Sequence, residues 1–288
     1  MKPIVIILIL IIGAAGAWYY WTEMRSAEVV EERGDVAVLP ETATPPPVVE
    51  ESPPEMDEEL TEPATLTDQE PAIAQEPLPP LDNSDPAVRE TAADLVGQST
   101  AMQYLVTESI IPKMVAALDA LSSRQVPSAI MPLQPPGGEI LVTEDPDPPT
   151  PITNPLGDEM PQYLLDSANY SRYTPYVEMV ESTETADLIE QYQRYEPLMQ
   201  QSFSQLGYTG VEFHDRLLMV IDELLAAPDP EGPVRLIKPE AYYLFADPEL
   251  EALSAGQKIM VRMGSDNAAR VKEKLRELRA ELIATGES

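Results

Sequence analysis

The stretch TADLIEQYQRYEPLMQQSFSQLGYTGVEFHDRLLMVIDELLAAP, residues 185–228, decides the fold class. Leu188, Tyr192, Tyr195, Met199, Phe203 and Leu206 recur three and four residues apart. Phe213, Leu217, Leu218, Ile221, Leu224 and Leu225 do the same. With 3.6 residues per turn, that spacing gathers each set on one face of a helix. Gly207 ends the first stripe, where a residue without a Cβ readily turns left-handed. Pro228 and Pro230 stop the second, and Pro197 predicts a kink or restart inside the first. Two successive amphipathic helices make the domain mainly helical.

Toward the C-terminus, Val234-Arg235-Leu236-Ile237 alternates, and with Tyr242–Phe245 it predicts a small two-stranded β element. Pro248 opens a short helix through Leu253, and Lys258–Met263 adds a turn or two. After Gly264, Ser265 starts a final helix whose Ala268, Val271, Leu275, Leu278 and Leu282 keep the same rhythm.

Toward the N-terminus, Tyr170, Tyr173 and Tyr176 stand one turn apart, interrupted by Pro175. Residues 127–161 hold ten prolines. Within them, GGEILVT (137–143) has the pattern of a short strand or hairpin arm. So long a connection either wraps the surface or separates a helical hairpin (84–124) from a main body (162–284). In that hairpin Leu105, Val106, Ile110, Ile111, Met114, Val115, Leu118 and Leu121 form a core stripe. Pro112 places a helix start near Glu108 or Ser109, and Ser84-Asp85-Pro86 is another start.

Upstream the chain changes character. Between Thr22 and Asp85 there are 18 acids against Arg25 and Arg33, within segments such as PETATPPPVVEESPPEMDEELTEP. Such composition cannot bury apolar surface, and it predicts a disordered, extended stalk over 23–80. Before it, Ile4–Trp21 is an uncharged run of 18 residues, IVIILILIIGAAGAWYYW. As a helix it spans ~27 Å, close to the hydrocarbon thickness of a bilayer. Trp18, Tyr19, Tyr20 and Trp21 close it as interface anchors. The reading is a transmembrane signal anchor over 1–22. Ala15-Gly16-Ala17 also satisfies a signal-peptide cleavage pattern, so the competing reading is a cleaved leader. Lys2 before the span nearly balances Arg25 and Arg33 after it. The short leader favours a single-pass protein of the bacterial inner membrane with a periplasmic C-terminal domain.

The expected organisation is thus an anchor (1–22), a stalk (23–80), a compact multi-helix domain (81–284) and a tail (285–288). Fifty acids against 18 bases give a formal charge of −32. That argues against a nucleic-acid partner, because phosphate binding needs clustered Lys and Arg. No cysteine is present and His214 is the only histidine, so thiolate chemistry and multi-histidine metal sites are excluded. Ala255-Gly256-Gln257-Lys258 has the end of a phosphate loop without its upstream glycine or its Ser/Thr. His214 beside Asp215 lacks a nucleophile or second ligand close in sequence. No catalytic, cofactor or metal residues are assigned, and no cofactor is expected.

The blocks ANYSRYTPYVEMVES, YEPLMQQSFSQLGY, FHDRLLMVIDELLAAP and LIKPEAYYLFADPELEALSAGQKIMVRMGSDNAARVKEKLRELR occur in order. Together with the earlier AALDAL they resemble the DUF3014 family, a bacterial domain of unknown function, over residues 84–283. The resemblance implies one continuous domain behind a membrane segment and a linker, and brings no catalytic residue or ligand.

Two features suit a partner. Tyrosines outnumber phenylalanines, 12 to 3, a habit of recognition surfaces as well as of half-buried cores. Between Gly256 and Ile283 seven bases face four acids, and Lys272, Arg276 and Arg279 lie off the leucine stripe. The candidate partner surface is therefore Lys272, Arg276, Arg279, Tyr170 and Tyr173. It faces either an acidic partner, including the chain's own stalk, or solvent, with Glu273 and Glu277 pairing nearby bases. The expected function is a non-enzymatic binding or scaffolding module, tethered through residues 4–21, with a protein or cell-wall partner. The rivals are a hydrolase or transferase with carboxylate chemistry and an accessory subunit of a membrane complex.

Overall fold

The computed structural model describes residues 77–134, 139–240 and 242–286. The anchor (1–22) and nearly all of the stalk (23–80) lie outside the described residues. Among the described residues no helix is long and apolar enough to cross a membrane.

The chain first makes α1 (Asp85–Val96), α2 (Gln98–Tyr104) and α3 (Ile110–Leu121). After the proline-rich connection come β1 (Val142–Glu144) and β2 (Gln162–Leu165), then α4 (Thr174–Glu181), α5 (Thr185–Gln205) and α6 (Phe213–Leu225). The last part holds β3 (Arg235–Ile237), β4 (Leu244–Phe245), α7 (Pro248–Ala252), α8 (Ala255–Arg262) and α9 (Ser265–Gly286). The fold is a mainly helical domain with a small antiparallel sheet.

The hydrophobic core lies between α3, α5, α6 and α9. From α3, Ile110, Ile111, Met114, Val115 and Leu118 are buried against α5, α6 and α8. On the other side α9 packs on α4, α5, α6 and α8 through Val271, Leu275, Leu278 and Leu282. Burying one such side chain contributes roughly 1.5–3 kcal/mol, so these stripes supply most of the cohesion. The first helices are therefore not a separate hairpin: Thr91 of α1 shares a hydrogen bond of 3.0 Å with Tyr195 of α5.

Pro197 does not break α5, which runs unbroken through it. The proline sits on the exposed side, where the carbonyl it leaves unpaired meets water. Tyr195 and Met199 on either side are fully buried and hold the helix in line.

The sheet has four strands rather than two, in the order β1-β2-β3-β4 and antiparallel throughout. Val142 pairs with Leu165, Tyr163 with Leu236, and Leu236 with Phe245. The proline-rich connection wraps the domain. Near its start Gln134 N–H donates to Tyr104 O at 2.7 Å, and later it adds β1 to the sheet edge. Leu165, Val234, Leu236 and Phe245 form a second, smaller core with Val261 of α8. Arg262 of α8 is buried with its guanidinium 4.9 Å from the Phe245 ring centre. Burial lowers its pKa to about 10, so it stays charged at neutral pH. Glu251 ties the two cores together: its carboxylate pairs with Lys258 and accepts from Phe245 N–H at 2.9 Å.

Candidate partner surface

The bases of α9 mostly find partners inside the domain. Arg279 makes a two-pronged pair with Asp222 of α6, and Arg270 does the same with Glu181 of α4. Lys272 reaches the loop just past α6 and donates to Ala227 O. Lys274, largely buried, pairs with Glu277 at 3.2 Å, and Arg276 with Glu273 at 3.2 Å. Those last two i,i+3 pairs are the ones helical spacing predicts. The first three are contacts between elements that no local pattern reveals. Of the three candidate bases Arg276 pairs only within its own helix and is 59% exposed, while Arg279 is 39% exposed beside Asp222. The surplus positive charge of this helix thus fastens α9 to two acidic neighbours.

The candidate tyrosines divide as well. Tyr173 is buried at 7% and has no surface to offer a partner. Burial pushes its hydroxyl pKa up. Tyr170 is half-buried against Gly264, and its carbonyl accepts from Asn267 Nδ2 at 2.9 Å. Tyr176, Tyr192 and Tyr195 are core residues whose hydroxyls each find a partner: Gln134 O at 3.0 Å, His214 Nδ1 at 2.9 Å and Thr91 Oγ1 at 3.0 Å. These three are core rings with a tied polar end.

His214 is held on both sides. Tyr192 engages Nδ1, and the end of α9 covers Nε2, since a Cβ on Gly286 would stand 3.0 Å from it. Gly256 marks a close helix crossing, not a phosphate loop. A Cβ there would lie 2.7 Å from Leu224 Cδ2 and 3.3 Å from Leu121 O.

What the sequence reading missed is the turn between α5 and α6. Leu206, read there as the last member of the core stripe, is 45% exposed, because α5 ends at Gln205 and the chain turns away. Gly207 (φ +104°) and Gly210 (φ +73°) bracket the turn. Between them the Tyr208 ring stacks on Phe203 at 4.4 Å, and its hydroxyl donates to Asp119 at 3.1 Å. Gln200 fixes the far side, donating to Val211 O at 3.1 Å and accepting from Phe213 N–H at 2.6 Å. This well-tied turn leaves Leu206, Tyr208 and Val211 exposed, and on α6 Met219 is 56% exposed. Arg216 bridges the two parts, bonded to Asp119 at 2.8 Å and touching Met219 Sδ at 3.2 Å. The signal in the sequence was LGYTGV itself, an apolar cluster in a turn with two glycines.

A mainly helical domain with a four-stranded antiparallel sheet, carrying an exposed apolar turn between α5 and α6, is the class these observations define. The family model for DUF3014, described as protein of unknown function, matches residues 110–279, and the chain belongs to that family. Helices α1 and α2 lie outside the matched range. No curated protein and no solved structure matches the chain.

Proposed function

We propose that this chain is a membrane-tethered binding module of the bacterial envelope. In this reading the apolar run 4–21 holds it in the inner membrane, the acidic proline-rich stretch sets its reach, and the helical domain acts in the periplasm. The observation that carries the binding role is the α5–α6 turn. Leu206, Tyr208 and Val211 stand exposed on a turn held by stacking and hydrogen bonds, so presenting them to a partner costs little ordering entropy. Exposed apolar groups gathered in one place mark interaction sites more often than scattered ones do.

The test is photo-crosslinking in cells from Thr209, inside the turn, against Ala186 at the other end of α5, ~30 Å away along the helix. Adducts recovered from membranes only with Thr209, and lost on substituting Val211→Asp, support the reading. Equal adducts from both positions, or none from either, overturn it. Carbonate extraction and a reporter fused after Ser288 test the tether and the orientation separately.

A further inference from the structure

We infer that the α5–α6 turn docks a protein segment that combines apolar side chains with Lys or Arg. This rests on the binding reading above and narrows it to a partner class.

The exposed apolar side chains are Leu206 and Val211 on the turn and Met219 on the α6 that follows it. Their rim is acidic. Glu212 precedes α6, and Asp215 lies in its first turn, three residues on, with Met219 four beyond that, so the three share one exposed helix face. Neither carboxylate forms an ion pair among the described residues. The neighbouring cation, Arg216, is already committed to the Asp119 side chain at 2.8 Å and to Asp119 O at 3.0 Å. The surface therefore offers apolar area and uncompensated negative charge together.

That combination separates the possible occupants. An anionic lipid surface meets like charge. So does the chain's own stalk region, with 18 acids against two arginines between Thr22 and Asp85. A second copy sets the same carboxylate rim against itself and brings another formal −32. Like charges brought together cost energy, whereas complementary ones steer association. A cationic amphipathic segment is the occupant for which both the apolar and the electrostatic contributions are favourable.

The experiment uses the full chain in nanodiscs of neutral lipid, with the photo-crosslinker at Thr209 or at Ala186. Three short labelled peptides are offered: Leu/Lys amphipathic, Leu/Glu amphipathic, and Ser/Lys of equal charge without an apolar face. Reading adducts at a fixed position separates capture by the turn from diffuse capture along the acidic stretch. The Leu/Lys peptide is expected to label Thr209 roughly tenfold above Ala186, a difference worth about 1.4 kcal/mol. Substituting Glu212→Gln with Asp215→Asn should cut that labelling severalfold. Val211→Asp with Met219→Asp should abolish it while the thermal melt stays in place. Glu231→Gln with Glu240→Gln, two exposed acids elsewhere, should leave it unchanged.

Equal labelling by Ser/Lys, or stronger labelling by Leu/Glu, overturns the inference. So does loss of labelling with every acid substitution alike. If Thr209 gives adducts in cells but the Leu/Lys peptide does not label it, the partner class falls and the binding reading stands. Absence of adducts in cells removes the binding reading itself.

Discussion

Tyr170 rests directly against Gly264, so closely that a Cβ on the glycine would stand 2.7 Å from Tyr170 Cγ. Gly264 also has φ +83°, a conformation that L side chains adopt only with strain. The contact locks the tyrosine-bearing segment before α4 to the α8–α9 junction. Asn267 reinforces it by donating to both Tyr170 O and Met263 O. Gly264→Ala should therefore destabilise the domain by about 2–3 kcal/mol, combining backbone strain with the clash. Denaturant titration measures it as a fall in midpoint at constant slope. Adding Tyr170→Ala should recover the steric part and leave the backbone part.

Asp85 caps a helix it does not belong to. Its two carboxylate oxygens accept from Ser109 N–H and Ile110 N–H, each at 2.8 Å, at the start of α3. Ser109 itself makes no side-chain cap and sits at φ +54°. Asp85→Ala should cost about 1–2 kcal/mol, the usual loss for an N-cap, and Asp85→Asn less. A fragment limited to residues 110–288 loses this cap and the Thr91–Tyr195 bond together. It should melt well below a fragment starting at Pro77.

Lys272 ties α9 to the loop after α6 through Ala227 O. Lys272→Met keeps the stem and removes the donor. We expect a loss of about 1–2 kcal/mol, since the bond has a charged donor. The readout is the melting temperature.

Acid should loosen the attachment of α9. The hydrogen bond from Arg270 holds the Glu181 carboxyl below its ordinary value of 4.5. Hydrogen bonds from Thr185, then Lys274, do the same for Glu277. A carboxyl whose pKa is lower in the folded than in the unfolded state contributes stability that is present above pH 4.5. That contribution is lost as pH falls through the lowered value. Glu181→Gln with Glu277→Gln should flatten the pH dependence of stability below 4.5. At neutral pH each exposed pair is worth no more than about 1 kcal/mol, so the double variant should lose little there.

Side chains at the exposed turn should be separable from those beneath it. Val211→Ser and Met219→Ser should change stability by less than about 0.5 kcal/mol, as surface substitutions usually do. Phe203→Ala, beneath the stacked Tyr208, should cost about 3–5 kcal/mol because it opens a cavity in a fully buried site. Chemical denaturation of the three variants distinguishes them.

The sequence by itself determined the helices, because their signals are local. Apolar spacing in α3, α5, α6 and α9 names the buried face, and prolines and glycines mark where helices start and stop. The starts at Asp85–Pro86 and Pro248 lie where the composition puts them, and the i,i+3 pairs on α9 follow from helix geometry alone. The tertiary structure decided whatever depends on residues distant in sequence. The strand pattern of GGEILVT overlaps β1, but no local pattern marks β2, which exists through pairing with β1 and β3. Whether Arg279, Arg270 and Lys272 face a partner or the domain depends on where Asp222, Glu181 and Ala227 O come to lie. Leu206 followed the core period, yet it stands exposed because the helix ends one residue earlier. Periodicity fixes the direction of a side chain around its own helix axis. Which neighbour occupies that direction, or whether any does, is set by packing between elements.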